Sequence, residues 1–201
     1  MYSQRDEEKY ILEALAGITD GVFLDIGASD GKVFSNTRAL ADLGWSGVLV
    51  EASNHAFHAL EENTRDNDKM HIIAAAMMPQ ANGLVKFWQT QDMVSTTSKE
   101  HADRWKDSIS TNPYRVIYSA TTSYDDILES TDIPFNEFDF VSLDIEGTNY
   151  EVFVEMMKAA HTINKAMCIE FDDKRMEVEA LALVNGFRLV HETSENLILV
   201  R

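Results

Sequence analysis

The segment FLDIGASDG, residues 23–31, decides the fold of this chain. A short, mostly apolar run leads directly into a turn that contains Gly27, Ser29 and Gly31, and sequence with helical periodicity follows. Glycine in such a turn lets the backbone come close to a ligand, and the free amides at a helix start favour negatively charged ligand groups. The segment therefore predicts a strand, a ligand-binding turn and a helix in succession.

The same alternation continues along the chain. Short apolar runs predict buried strands at residues 21–27, 46–52, 70–77, 138–147 and 166–171. Stretches with helical periodicity, long enough to join parallel strands, occupy residues 33–43, 54–66, 149–160 and 174–185. Strands this rich in Val, Ile, Leu and Phe indicate a sheet covered by helices on both faces, so the pattern predicts a doubly wound α/β fold.

Three segments fall outside this alternation. Residues 4–16 within the N-terminal segment 1–20 predict an opening helix, and the C-terminal sequence GFRLVHETSENLILVR predicts an antiparallel hairpin. Residues 89–113 are polar with little periodicity, which is typical of either a lid over a substrate or a disordered loop. A length of 201 residues suits one core, so a single domain over residues 1–201 is predicted.

The composition narrows the classes of partner. The chain has 34 Asp and Glu residues against 17 Lys and Arg, a formal net charge of −17, which repels nucleic acid and anionic membranes. The charged N-terminal sequence lacks an apolar core, and no apolar run approaches the ~18 residues of a membrane span, so a cytoplasmic protein is expected. The six histidines form no metal-ligand spacing with one another or with cysteine, so no metal is expected.

The turn after the first predicted strand does not match a dinucleotide site. The glycine positions of G-x-G-x-x-G hold Gly27, Ser29 and Lys32, so two of the three glycines are replaced. Side chains at those two positions impede the close approach of a pyrophosphate. A nicotinamide-dependent oxidoreductase is therefore kept only as a minor alternative.

The second predicted strand ends in VLVEAS, which places Glu51 twenty residues after Gly31. This is where an acid binds the ribose hydroxyls in nucleoside-binding α/β folds, although a solvated glutamate at a strand end is the plain alternative. A ribose-binding acid, no pyrophosphate cradle and a helix start for a carboxylate together favour S-adenosylmethionine as the ligand.

Several segments resemble the FkbM family of class I S-adenosylmethionine-dependent methyltransferases. They are DIGASDG, FSNTRALADLGWSGVLVEAS (34–53), TTSYDDIL (121–128) and FDFVSLDIEGTNYEVF (138–153). The resemblance implies a Rossmann-like, mostly parallel seven-stranded sheet whose antiparallel strand comes from the C-terminal hairpin. It implies methyl transfer to an oxygen of a small-molecule or sugar-like acceptor. The sequence departs from the family at Ser29, where Asn is common, and at Ala52, where proline is common.

The resemblance also implies a set of cofactor-binding positions. The methionine end of the cofactor would lie against Asp25, Gly27, Ser29 and Gly31, its carboxylate against Ser35 and Asn36, the ribose against Glu51, and the adenine near Ala52 and Ser53. Ala75 or Ala76 is a further adenine contact. The complete set of predicted positions is Gln4, Asp25, Gly27, Ala28, Ser29, Gly31, Ser35, Asn36, Glu51, Ala52, Ser53, Ala75 and Asp144.

The segment DIEG, residues 144–147, is the predicted catalytic element. Ligands of open α/β sheets bind outside the carboxyl ends of the strands, and two carboxylates this close raise each other's pKa. Asp144 is the first candidate for the base that accepts a hydroxyl proton, and Glu146 and His101 are the others. Asp144 binding the cofactor amine without proton transfer is the alternative, as is, for the whole protein, a non-catalytic binding function.

Overall fold

The computed structural model describes residues 1–109, 112–130 and 132–201. The strands in these residues are β1 (Val22–Ile26), β2 (Ser46–Glu51), β3 (Met70–Ala74), β4 (Ala76–Met77), β5 (Leu84–Gln89), β6 (Arg115–Thr122), β7 (Phe138–Leu143), β8 (Ile163–Glu170), β9 (Arg188–Glu192) and β10 (Asn196–Val200). The α-helices are α1 (Glu7–Ala14), α2 (Arg38–Asp42), α3 (Asn54–Thr64), α4 (Lys99–Trp105), α5 (Tyr124–Glu129), α6 (Asn149–Met156) and α7 (Arg175–Val184), and a 3-10 helix spans Met157–Thr162.

The main sheet has seven strands in the spatial order β3-β2-β1-β7-β8-β10-β9. Strands β3, β2, β1, β7 and β8 pair in parallel, and β10 is antiparallel to both β8 and β9. The prediction of a doubly wound, mostly parallel sheet with a C-terminal antiparallel hairpin is confirmed. The chain order reverses at the β1–β7 pair, which is where open α/β sheets bind ligands.

Helices cover both faces of this sheet because alternate strand residues point to opposite sides. Leu24 of β1 belongs to a core cluster that includes α5, α6 and α7 residues, such as Phe153. Phe23 belongs to a second cluster on the other face, with α1, α2 and α3 residues such as Leu60. These two apolar layers hold the carboxyl ends of β1, β2 and β7 in fixed relative positions.

A second, three-stranded sheet was not predicted from the sequence. Its order is β4-β6-β5, with β5 antiparallel to β6 over residues 84–89 and 115–120. The single strand predicted over residues 70–77 is wrong in this respect, since β3 ends at Ala74 and Ala76 pairs instead with Thr121 of β6. Ala76 and Thr121 lie 45 residues apart in sequence, so local periodicity could not pair their strands.

The polar segment 89–113 contains regular structure that its composition concealed. Helix α4 lies within it, and Trp88 and Thr96 form an antiparallel bridge. Residues 110 and 111, which belong to the predicted loop, lie outside the described residues. The choice between lid and disordered loop stays a prediction for the segment as a whole.

Two helices are shorter than their periodicity predicted. Helix α1 spans Glu7–Ala14, not residues 4–16, and α2 spans Arg38–Asp42, not residues 33–43. Gly31 and Phe34 have φ values of +68° and +58°, and these left-handed conformations delay the start of α2. None of the helices in the described residues is long and apolar enough to cross a membrane.

Candidate functional site

A cavity of about 520 Å³ opens at the carboxyl ends of β1, β2 and β7. Its volume lies in the range of small-molecule and cofactor sites. Nine of the predicted site residues line it: Gln4, Gly27, Ser29, Glu51, Ala52, Ser53, Ala75, Asp144 and Glu146. The structure thus brings together residues from five separate segments of the sequence at the point where the strand order reverses.

Gly27 makes the turn that closes one side of this cavity. Its φ is +88°, its N–H donates to the Val50 carbonyl at 2.9 Å, and a Cβ built on it would lie 1.7 Å from the Asp144 carbonyl oxygen. Ser29, two residues later, also has a left-handed φ of +50°. Only glycine therefore fits at position 27, and its missing side chain lets the end of β1 contact the end of β7.

Glu51 is fixed at the end of β2. Its side chain is buried, with Oε2 accepting the Ser29 N–H at 2.9 Å and Oε1 accepting the Ser53 N–H at 2.5 Å. Burial raises the pKa of Glu51, and the two backbone donors oppose that shift. A carboxylate oxygen can accept more than one hydrogen bond, so Glu51 keeps acceptor capacity toward the cavity that it lines.

Gln4 reaches the cavity from the N-terminal segment. Ser3 forms a parallel bridge with Phe34, beyond the Gly27 turn, and Gln4 lines the cavity beside it. Packing of α1 against the sheet through Ile11 supports this position. The N-terminal residues are thus part of the site wall.

Asp144, Glu146 and Glu170 form an acidic cluster at the carboxyl ends of β7 and β8. Each offers a carboxylate oxygen, and these three oxygens lie within 4.8 Å of one another. Burial, followed by the charge of Glu146, raises the pKa of Asp144 to about 7. Burial and the charge of Asp144 raise the pKa of Glu170 well above its usual value. Asp144 and Glu170 therefore take up protons more readily than exposed acids do.

Asn149, which sequence reasoning did not identify, orients this cluster. The side chain is fully buried at the start of α6; Nδ2 donates to Glu170 Oε2 at 2.7 Å and to Asp172 Oδ2 at 3.2 Å, while Oδ1 accepts the Ile145 N–H at 2.8 Å. The available signal was an amide residue at a helix start directly after DIEGT. Asn149 fixes one oxygen of each carboxylate that it contacts.

His101 approaches the cluster from α4 and does not itself line the cavity. It is 6% exposed, and its Nε2 lies 3.0 Å from Glu146 Oε2 without hydrogen-bond geometry. The ring packs on Gly147, where an added Cβ would lie 2.8 Å from Nδ1. Thr96, a further residue that sequence reasoning missed, donates its hydroxyl to the Glu146 carbonyl at 2.5 Å. The polar segment is thus joined to the acidic cluster.

Five further predicted cofactor residues are buried and do not line this cavity: Asp25, Ala28, Gly31, Ser35 and Asn36. Asp25 accepts the Thr37 hydroxyl at 2.5 Å, and Asn36 Nδ2 donates to Ser142 Oγ at 3.3 Å. Ser35 Oγ accepts the backbone N–H of Thr37 at 3.2 Å. These contacts brace the segment between β1 and α2; a direct cofactor contact by any of the five stays a prediction.

Asp25 gives the protein a pH-dependent stability. Burial raises its pKa from 3.8 to about 6, although hydrogen bonds from Thr37 and Ser142 oppose the shift. The folded state therefore binds more protons than the unfolded chain, and this contribution to stability is lost as pH rises from about 4 through about 6. Between pH 4.5 and pH 7.5, the unfolding free energy of Asp25→Asn relative to that of wild type is expected to rise by about 2 kcal/mol.

Urea unfolding of both proteins across this pH range measures the effect. Asp144, Glu51 and Cys168 are coupled electrostatically to Asp25, so only the difference between variant and wild type isolates Asp25. Asp103→Asn is the control, because Lys99 lowers the pKa of this exposed carboxyl. Parallel pH profiles for wild type and Asp25→Asn would show that Asp25 is already ionised at pH 4.5.

Comparisons with known proteins bear on the family and the fold of the chain. Residues 25–188 match the family model of the methyltransferase FkbM domain. The fold is similar to that of methyltransferase FkbM from Methylobacillus flagellatus KT, at 15% identity and a TM-score of 0.57, covering 99% of this chain and 48% of that one. None of the curated proteins matches the chain in sequence.

Two other solved structures share the fold at low identity. Precorrin-6y C5,15-methyltransferase from Geobacter metallireducens GS-15 is 11% identical with a TM-score of 0.51, covering 96% of this chain and 84% of that one. The fibrillarin pre-rRNA processing protein of Methanococcus jannaschii is 12% identical with a TM-score of 0.52, covering 98% and 75%. At these identities the likeness concerns the fold alone.

Proposed function

The chain belongs to the FkbM methyltransferase family, and from that premise we propose that it methylates a hydroxyl oxygen of a small-molecule or carbohydrate acceptor. The family and the fold make it an S-adenosylmethionine-dependent methyltransferase. One observation carries the proposal: Glu51, suited to a ribose, and Asp144, suited to proton transfer, line the same cavity. The acceptor and the role of each residue are the proposed part.

The chemistry of the cavity wall fits S-adenosylmethionine. Glu51 would take the ribose hydroxyls, because its carboxylate is held rigidly and keeps acceptor capacity. The small residues Ala52, Ser53 and Ala75 leave room for the adenine ring. The nearby acidic cluster complements the positive charge of a sulfonium.

The methionine end of the cofactor would lie along the Gly27 turn. Ser35 and Asn36 are buried in internal hydrogen bonds, whereas Gln4 lines the cavity. The Gln4 amide is therefore the group that we place at the cofactor carboxylate. The sequence had predicted that a helix start binds the cofactor carboxylate. We assign that role to the side-chain amide of Gln4 instead.

Asp144 would act as the general base. When bound, the cofactor supplies a methyl group on a positively charged sulfur, and an acceptor oxygen that attacks it must lose its hydroxyl proton. Asp144 would accept that proton at a carboxylate oxygen, since its raised pKa of about 7 matches a base working near neutral pH. The carboxylates of Glu146 and Glu170 would maintain negative charge around Asp144 and hold the acceptor hydroxyl in position.

The acceptor side of the cavity favours a compact polar molecule. Trp105 of α4 is 39% exposed and lines the cavity, and its ring offers a flat apolar face of the kind that sugar rings stack on. Met93 and Thr97 of the same polar segment line the cavity too. The net charge of −17 disfavours polyanionic acceptors such as nucleic acid.

Titration with S-adenosylhomocysteine tests the cofactor half of this proposal. Calorimetry is expected to show one site in the wild type and about 30- to 100-fold weaker binding for Glu51→Ala, because two ribose hydroxyls lose their acceptor. Glu61→Gln, an exposed residue of α3, is the control and is expected to bind like wild type. Equal affinities for wild type and Glu51→Ala would remove Glu51 from the site, and preferential binding of a nicotinamide dinucleotide would favour the oxidoreductase alternative.

A further inference from the structure

The acidic cluster lacks a cationic partner of its own. Asp144, Glu146 and Glu170 bring carboxylate oxygens within 4.8 Å of one another. Asp172 is a fourth acid nearby, since the Asn149 amide donates hydrogen bonds to both Asp172 and Glu170. Among the described residues, the ion pairs of these four acids include no lysine or arginine, and His101 alone pairs with one of them. Like charges held this close in a half-buried site repel one another unless a proton or a cation lies between them.

His101 supplies an independent indication of a ligand. The residue is 6% exposed, and its Nε2 is buried and without a hydrogen-bond partner, although it lies 3.0 Å from Glu146 Oε2. Asn196 lies opposite Glu170 in the β8–β10 pair and lines the cavity. Its Oδ1 is also buried without a hydrogen-bond partner. Buried polar atoms without partners are uncommon, and here one lies beside Glu146 and the other belongs to the residue paired with Glu170.

We propose that Glu146, Glu170 and His101 bind one divalent cation beside Asp144, with Mn²⁺ as the best match and Mg²⁺ as the next. Two neighbouring ligands of an octahedral cation, each about 2.1 Å from it, are about 3 Å apart. That is the separation between His101 Nε2 and Glu146 Oε2. Carboxylates select Mg²⁺, Ca²⁺ and Mn²⁺, and a single imidazole among them favours Mn²⁺.

Asn149 prepares Glu170 for this role. Its amide occupies Glu170 Oε2 at 2.7 Å, so Oε1 is the oxygen left for a cation. The second contact, to Asp172, places another carboxylate behind the first. Such outer contacts orient metal ligands and are typical of metal sites.

The proposal explains why sequence spacing predicted no metal. The ligands come from α4, from the segment after β7 and from the end of β8, so no short motif contains them. Cation binding does not depend on methyl transfer. A role for the cation in catalysis does rest on the proposed function: a cation beside Asp144 would bind the acceptor hydroxyl and lower the pKa of that hydroxyl.

Titration of chelator-treated protein with Mn²⁺ alone, followed by electron paramagnetic resonance of the free ion, tests the site. We expect one saturable site below about 1 mM, and at least about tenfold weaker binding for both Glu146→Gln and Glu170→Gln. Glu177→Gln, an exposed residue of α7, is the matched control and is expected to bind Mn²⁺ like wild type. Thermal unfolding of each variant without metal verifies that it is folded.

Pulsed electron paramagnetic resonance then tests His101. The wild-type complex is expected to show coupling of Mn²⁺ to a nitrogen nucleus, and His101→Gln to lose it while retaining weaker binding. No saturable binding, binding unchanged in both glutamine variants, or no nitrogen coupling in the wild type would overturn the proposal. Mn²⁺ binding by a protein that transfers no methyl group would support it while the proposed function failed.

Discussion

Replacing Gly27 by alanine is expected to lower the free energy of unfolding by at least about 3 kcal/mol and to abolish cofactor binding. The alanine Cβ would lie 1.7 Å from the Asp144 carbonyl oxygen, a backbone atom that cannot move aside as a side chain can. The φ of +88° adds the strain of a left-handed conformation. Relief of this contact requires β1 and β7 to separate at the site.

Gly17→Ala is the matched control for this prediction. Gly17 has nearly the same φ, +89°, and an added Cβ there would meet no atom within 4 Å. Its substitution therefore reports the conformational strain alone, about 1–2 kcal/mol. Urea unfolding of both variants gives the comparison, and equal losses would show that the β1–β7 contact at Gly27 contributes nothing.

Replacing Asp144 by asparagine is expected to lower kcat by about 10²–10³ while S-adenosylhomocysteine binds within about threefold of wild type. Asparagine keeps the size of the side chain and cannot accept the hydroxyl proton. The assay follows transfer of a labelled methyl group to the acceptor at saturating cofactor. A large loss of kcat with little change in affinity for S-adenosylhomocysteine would assign Asp144 to proton transfer.

The alternative role of Asp144, binding of the cofactor amine, gives the opposite split. In that case Asp144→Asn would weaken cofactor binding strongly and leave kcat at saturation nearly unchanged. Asp173→Asn is the control, because this carboxylate is exposed in the segment between β8 and α7 and pairs with Arg104. It is expected to retain wild-type kcat and affinity.

Local sequence predicted the parts of the site that lie at strand ends. Gly27, Glu51 and Asp144 directly follow or end apolar runs, and parallel strands bring their carboxyl ends to one edge of a sheet. Their convergence on one cavity therefore follows from the fold class. The resemblance to the FkbM family, confirmed by the match over residues 25–188, was carried by the same strand ends.

Contacts between distant segments could not be predicted in this way. Thr96 and His101 reach the DIEG segment across about fifty residues, and Asn149 joins α6 to the end of β8. The second sheet likewise depends on pairing of β5 with β6. Periodicity reports which face of an element is buried but not which distant element covers it.

The burial of Ser35 and Asn36 is a second feature that local sequence periodicity could not predict. The sequence after Gly31 has helical periodicity, yet left-handed residues at positions 31 and 34 delay α2 to Arg38. Those side chains then bond to Thr37 and Ser142 within the protein interior. Backbone conformation at non-glycine residues such as Phe34 leaves little trace in a single sequence.

The most direct test of hydroxyl methylation supplies the wild-type protein with methyl-labelled S-adenosylmethionine and a panel of polyhydroxylated small molecules and sugars. We expect label in an alkali-stable methyl ether of at least one acceptor, with one S-adenosylhomocysteine formed for each methyl group transferred. Tight cofactor binding with no transfer to any hydroxyl, or label recovered only on nitrogen or in an alkali-labile ester, would contradict it.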